Sequence, residues 1–261
     1  MNKILPINRF PTKEEAAAAA GEALNDLLVQ SKTQPILLLL SGGSALEILD
    51  YVSPSSLGDN LAITVLDERF TPLEASAKSA TVADGNLALT GLSQVPEISN
   101  FLQLQKTQFC TDALEAAASF FGTLPRNGES MENLAARWES ALKKWRSDFP
   151  KGKIIATLGM GADGHTAGIF PFPEDVPKFR GLFERNAWVA PYNTGNKSQY
   201  NERITVTVTF LKLIDEAIIF ACGEEKKEKF DMVLSKSSAL AELPALAWHE
   251  LKRARIFTDI V

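Results

Sequence analysis

The chain has 261 residues, 45% hydrophobic and 23% charged, an ordinary globular composition with enough apolar material for one large core or two small ones. Thirty-two acidic against 27 basic residues leave a formal charge of −5, which argues against a nucleic-acid surface as the main function. Cys110 and Cys222 stand far apart without metal-ligand spacing and read as small core residues, and the longest apolar run, Ile36 to Leu40, is far too short to span a bilayer.

The N-terminus has no signal-peptide hydrophobic region, so the expectation is a cytoplasmic protein with no membrane partner. Thr12-Lys-Glu-Glu15 fits a capping box, and the alanine-rich run behind it predicts a helix to about Ser31. Pro35 to Leu40 is a continuous apolar run, as expected of a strand covered on both faces. Ser41-Gly-Gly-Ser44 ends it, and Ala45 to Val52 read as a helix. A second apolar strand, Leu61 to Leu66, ends in Asp67-Glu68-Arg69, and a helix is expected near Thr81 to Leu89. Ile98 to Leu104 reads as a short strand, Asp112 to Phe121 as a helix, and Thr123 to Ser130 as a loop. Glu132 to Phe149 predicts a long helix with Leu134, Trp138, Ala141, Leu142 and Trp145 on one face.

Ile154 to Leu158 is a third apolar strand. Phe172 to Phe183 reads as a loop with a helical turn, Ala187 to Ala190 as a strand and Pro191 to Glu202 as a polar loop. Arg203 to Phe210 alternates polar and apolar, the period of a half-buried strand. A strand at Ala217 to Cys222, helices at Glu224 to Leu234 and Leu243 to Leu251, and a last strand at Ala254 to Phe257 complete the chain. No repeat or linker divides it, so residues 1–261 are expected to form a single α/β domain. Alternating strands and helices imply a mostly parallel open sheet with helices on both faces. The polar turns after Leu40, Leu66, Leu158 and Cys222 then gather at the carboxyl ends of strands, where such sheets bind ligands.

Those turns carry the chemistry. Ser41-Gly-Gly-Ser44 offers backbone N–H groups and a positive helix end to an anion, with Gly42, Gly43 and Ser44 the candidates; it also fits a tight turn with a Ser N-cap. It is neither a P-loop nor the three-glycine dinucleotide fingerprint. In Asp67-Glu68-Arg69, Arg69 suits bidentate binding of an oxyanion or carboxylate. Lys226, three residues after Gly223, suits a phosphate contact, although its run of alternating charges also fits a solvated helix face. Arg203 opens its strand toward the same edge, and His249 reads as a surface residue of an amphipathic helix. Leu158-Gly-Met-Gly-Ala-Asp-Gly-His-Thr-Ala-Gly-Ile-Phe-Pro171 is the strongest block. Glycines 159, 161 and 164 permit positive φ and close backbone approach, and the turn presents Asp163 and His165, an imidazole suited to proton transfer near neutral pH.

This block resembles the signature of 6-phosphogluconolactonases. Ser41-Gly-Gly-Ser44, Asp67-Glu-Arg69, Arg203-Ile-Thr205, Gly223-Glu-Glu-Lys226 and Leu243-Pro-Ala-Leu246 are similar to the family's other blocks in the same order, so the resemblance covers nearly the whole chain. It implies the fold shared with glucosamine-6-phosphate deaminases and ribose-5-phosphate isomerases. The activity implied is metal-free hydrolysis of 6-phosphoglucono-1,5-lactone in the oxidative pentose phosphate pathway; the expectation for the chain is no cofactor and a monomer or weak homodimer. By the same resemblance His165 corresponds to the general base, Asp163 orients it, and Arg69 holds substrate or developing charge. Gly42, Gly43, Ser44, Asp67, Arg203 and Lys226 would bind the rest of the phosphosugar.

The deaminase and isomerase relatives carry Asp-Glu-Tyr in place of Asp67-Glu68-Arg69 and a catalytic glutamate five residues after the histidine, where this chain has Phe170. Two departures from the lactonases remain. Ala45-Leu46 replace the usual Thr-Pro, and the family's His and Ser-Asn have no clear counterpart between Pro72 and Ala80. A deaminase-like enzyme and a non-catalytic sugar-phosphate-binding protein are the alternatives.

Overall fold

The computed structural model describes residues 5–72 and 98–261; the helix expected at Thr81 to Leu89 and nearly all of the 72–80 segment lie outside them. Seven strands form one wholly parallel sheet: β1 (Ile7–Arg9), β2 (Ile36–Leu40), β3 (Leu61–Val65), β5 (Ser119–Phe120), β6 (Lys153–Gly159), β9 (Glu216–Phe220) and β10 (Ala254–Thr258). Their order is β1-β10-β9-β6-β2-β3-β5. The open parallel sheet expected from the alternating pattern is therefore present.

Why the central strands are mostly apolar is visible in how they alternate. Leu37 and Leu39 of β2 enter one core, while Ile36, Leu38 and Leu40 enter another on the opposite face. β9 divides in the same way, with Ala217 and Ile219 on one side and Ile218 and Phe220 on the other. A strand buried on both faces takes a polar residue only where it is hydrogen-bonded, as Thr64 of β3 and Thr157 of β6 are, and each fully buried leucine contributes about 1.5–3 kcal/mol relative to exposure.

Helix α1 (Lys13–Gln30) covers one face through Ala16, Ala20, Leu24, Leu27 and Leu28. Thr12 caps it as predicted, its hydroxyl accepting the Glu15 N–H at 3.2 Å. On the other face lies α4 (Met131–Asp148), burying Leu134, Trp138, Leu142 and Trp145, with Ala141 only half-buried. The segments expected as helices at Ala45 to Val52 and Leu243 to Leu251 are 3-10 helices, Gly43–Tyr51 and Pro244–Glu250.

Two expectations fail for tertiary reasons. Ile98 to Leu104 is not a strand but contributes helix α2 (Asn100–Gln105). Ser99 caps it, and the buried carboxylate of Glu68 accepts the N–H groups of Asn100 (2.8 Å) and Phe101 (3.1 Å). An acceptor pair supplied from another element makes a helix start where apolar β-formers suggested extension. Asp67-Glu68-Arg69 is likewise no mere turn. It is strand β4 (Asp67–Arg69) of a second sheet, antiparallel to β8 (Glu202–Val206), which pairs in turn with β7 (Val189–Asn193).

The alternation from Arg203 onward therefore does not mark a half-buried strand. Residues 203–206 are all buried, and the chain then turns into the short helix α6 (Val208–Leu211), capped by Thr207. Part of the expected 172–183 loop is helix α5 (Val176–Phe183), and α3 (Gln108–Glu115) starts earlier than predicted and stops before β5. Helix α7 (Lys227–Ser235) follows a 3-10 turn, Glu224–Lys226.

Candidate active site

Strand order reverses between β2 and β6, since β3 lies outside β2 on one side and β9 and β10 lie outside β6 on the other. At such a switch point the two connections leave in opposite directions and open a crevice beyond the strand ends. The loop after β2 and the turn after β6 form its floor. The Ser41 N–H donates to Thr157 Oγ1 of β6 at 3.1 Å, tying the two strand ends together. A cleft of about 520 Å³ opens there, the size of a pocket for a small organic ligand.

The turn after β6 is built for rigidity. Thr166 Oγ1 donates to the Gly159 carbonyl (2.7 Å) and accepts from the buried Trp248 indole (3.1 Å). The hydroxyls of Tyr192 and Thr205, on β7 and β8, close onto the carbonyls of Gly168 and Ala167. Gly168 has φ +70° and passes so near Asp67 that a Cβ would sit 2.4 Å from its side chain. The second sheet thus clamps the turn that carries the imidazole.

On that turn Asp163 Oδ1 accepts both the His165 backbone N–H (3.1 Å) and, at 2.6 Å, the Nδ1 of its ring. Burial alone would raise the Asp163 carboxyl, but the side-chain hydrogen bond and electrostatic interaction with His165, with hydrogen bonds from the backbone, hold it below its ordinary range. With Nδ1 donating to the carboxylate, the lone pair is on Nε2, which makes no hydrogen bond among the described residues. The imidazole stacks on Phe170, ring centroids 4.3 Å apart and planes 13° from parallel. The arrangement is that of an oriented base: one nitrogen held by an acid, the other available.

Across the cleft, Arg69 and Arg203 face one another directly in the β4–β8 register. Like charges opposite each other across an antiparallel pair are unfavourable on their own. Arg203 is heavily engaged: Nη1 donates to Asp67 Oδ2 (2.9 Å), Nη2 to Ser198 Oγ (3.1 Å) and Nε to the Tyr200 carbonyl (3.2 Å). Arg69 donates from Nη1 to the Ile98 carbonyl (2.6 Å) and lies over the Tyr200 ring, while its Nε has no partner among the described residues. Burial first, and then the Arg203 charge, push the Arg69 guanidinium down from its usual range. The Asp67 and Glu68 charges offset this in part, although the Glu68 carboxylate is hydrogen-bonded not to the guanidinium but to Ser99, Asn100, Phe101, Thr123 and the Arg69 backbone. An anion is the natural complement to this wall.

Eight of the nine residues expected at the site line this cleft: Gly42, Gly43, Ser44, Asp67, Arg69, Asp163, His165 and Arg203. Lys226 is not among them; it closes the 3-10 turn after β9. Ser44 is no N-cap, since Gly42 holds that position and no side chain caps the turn. His249 is half-buried, its Nε2 donating to the Val233 carbonyl, and not the surface residue expected. The cleft also receives Asn100, Lys197, Ser198 and Phe170. Asn100 lies in the segment expected to be a strand, and no local pattern marked it as part of the cleft; it follows Ser99, the N-cap of α2. Nothing local distinguishes Lys197 or Ser198 from an ordinary polar loop. Among the described residues, no group of three or more His, Cys, Asp or Glu side chains is placed to hold a metal ion.

A family model for glucosamine-6-phosphate isomerases/6-phosphogluconolactonase matches residues 11–256. The chain belongs to this family. Among its relatives is a 6-phosphogluconolactonase of Neisseria meningitidis, 27% identical over 230 residues, 86% of each chain. One of Mesorhizobium japonicum is 25% identical over 230 residues, 86% of this chain and 83% of the other. Solved structures with the same fold include a 6-phosphogluconolactonase from Shewanella baltica (TM-score 0.68, 20% identity, 99% of both chains). Another is that from Trypanosoma brucei (TM-score 0.70, 19% identity, 97% of this chain and 95% of the other). The β4–β8 wall and the imidazole turn both fall within the matched region.

Proposed function

We propose that this family member is a 6-phosphogluconolactonase, hydrolysing 6-phospho-D-glucono-1,5-lactone to 6-phospho-D-gluconate in the oxidative pentose phosphate pathway. The observation that carries the reading is the Asp163-held imidazole facing a cleft with two arginines across it. His165 Nε2 takes a proton from water as the water oxygen bonds to the lactone carbonyl carbon. The electron pair of the carbonyl moves to its oxygen, where Arg69 stabilises the oxyanion. As the oxyanion collapses, the bond to the ring oxygen breaks and the imidazolium returns its proton to that oxygen. Asp163 holds the ring in one tautomer and stabilises its charged form. The phosphate dianion is met by the free amides of Gly42 and Gly43, by Ser44 and by the positive field of Lys197 and Arg203. Lys226 has no part in this reading. The alternative of a deaminase is disfavoured by Phe170, an apolar ring where that chemistry needs a carboxylate.

The test is proton release from freshly generated 6-phosphogluconolactone, corrected for spontaneous opening, with glucosamine 6-phosphate run beside it. Lactone-dependent acid release without ammonia from the amino sugar is expected. A folded His165→Ala variant should lose about 100- to 10,000-fold in kcat, the share carried by positioned proton transfer; near-normal turnover would reject His165 as the base.

A further inference from the structure

Phe170 is buried at 4% exposure, and its ring meets two charged or chargeable groups at once. The His165 imidazole stacks on it at 4.3 Å, and the Arg203 guanidinium carbon lies 5.2 Å from its centroid. Arg203 is itself fixed by its bonds to Asp67, Ser198 and Tyr200. The backbone leading to Phe170 is pinned as well, by the Thr166–Ile169 bridge and by the Tyr192 hydroxyl on the Gly168 carbonyl. The Phe170 ring is therefore an immobile surface.

What that surface does follows from counting constraints on the imidazole. The Asp163 bond fixes one nitrogen at 2.6 Å but leaves the ring free to tilt about the line joining donor and acceptor. The side chain keeps 34% of its exposure, so general packing does not remove that freedom. A flat contact on the ring face does. Offset stacking of two aromatic rings is favourable by about 0.5–1.5 kcal/mol beyond the area buried, enough to bias one tilt over others.

We propose that Phe170 is a positioning residue for catalysis: it sets the plane of His165, and so the direction of the Nε2 lone pair, while Asp163 sets the tautomer. The proposal rests on the reading of His165 as general base. It also connects that base to the buried Asp67–Arg203 pair, because the same ring touches both, and so explains why an aromatic residue suits a position facing a polar cleft.

The experiment compares Phe170→Leu with Phe170→Tyr and reads kinetics and the histidine ring signals by proton NMR. His165 and His249 are the only histidines, so a His165→Gln variant assigns the spectrum. Wild type should show His165 ring protons displaced upfield by the Phe170 ring current. Phe170→Leu should lose that displacement and lower kcat by about 10- to 100-fold with KM within about twofold, the signature of misorientation rather than lost binding. Phe170→Tyr, retaining the aromatic face, should keep both the displacement and most of kcat. Unchanged kcat in a folded Phe170→Leu, a fall confined to KM, or equal losses in both variants would overturn the proposal. If Phe170→Leu does not fold, the wild-type spectrum still decides: no upfield displacement means no stack and ends the proposal. A ring-current shift in a chain without lactonase activity would instead reject the base assignment and leave the orienting contact standing.

Discussion

Gly161 lies directly beneath the His165 imidazole. A Cβ there would stand 2.1 Å from Cε1 and 2.2 Å from Nδ1, closer than real atoms approach. Because the colliding atoms are the movable end of a side chain, Gly161→Ala should fold with a thermal midpoint close to that of wild type. It should nonetheless push the ring off Asp163 and lower kcat by about 10- to 100-fold; steady-state kinetics beside a melting curve check both halves. Asp163 supplies a second expectation. Its folded carboxyl titrates below its ordinary range, so the pairing stabilises the native state above the unfolded aspartate value and is lost as pH falls through the folded one. Acid unfolding of Asp163→Asn, followed by circular dichroism, should therefore be less steep in that window than wild type. At this scale the sequence was informative where partners are close in the chain: Asp163 and His165 are two residues apart and share one turn. Asn100, Lys197 and Ser198 reach the cleft from distant elements, and no local pattern marks them.

The β4–β8 pair shows what elements add. Asp67 and Arg203 are separated by 136 positions, yet their side chains form an ion pair at 2.9 Å with both partners nearly buried. Removing one partner strands a buried charge, so Asp67→Ala should cost about 3–5 kcal/mol in denaturant unfolding, whereas Asp67→Leu combined with Arg203→Met should cost clearly less. Glu68 is the complementary case. Its carboxylate gathers five hydrogen bonds and starts α2, while burial pushes its pKa up against their pull. Glu68→Gln turns an NH2 donor onto donors already present, and should destabilise by about 1–3 kcal/mol, measured by the same unfolding curves. The expected strand at Ile98 failed here because propensity counts only neighbours in the chain. The acceptors that start a helix at Asn100 come from another element.

Over the whole molecule, two cores sandwich a parallel sheet, and both cysteines, Cys110 and Cys222, lie in the core on the α1 side of it. Burial pushes the Cys110 thiol up to about 11 and that of Cys222 to about 12, so neither offers thiolate near neutral pH. The folded protein should react slowly with a thiol reagent at pH 8 and release both equivalents once denatured; rapid labelling of native protein would contradict this burial. Among the described residues no helix is long and apolar enough to cross a membrane.

The five apolar strands β2, β3, β6, β9 and β10, the cap of α1, the apolar stripe of α4 and the Asp-Gly-His turn were determined by the sequence alone, whereas β1 was not expected and β5 lay in a segment that read as helix. Each of those legible features depends on a period or a hydrogen bond that closes within a few residues. Tertiary structure alone decided the second sheet, the start of α2, the absence of Lys226 from the cleft and the stacking of His165 on Phe170. Those outcomes depend on which distant segments meet, and on burial that converts a run such as Asp67-Glu-Arg69 from solvated charge into a paired and hydrogen-bonded wall.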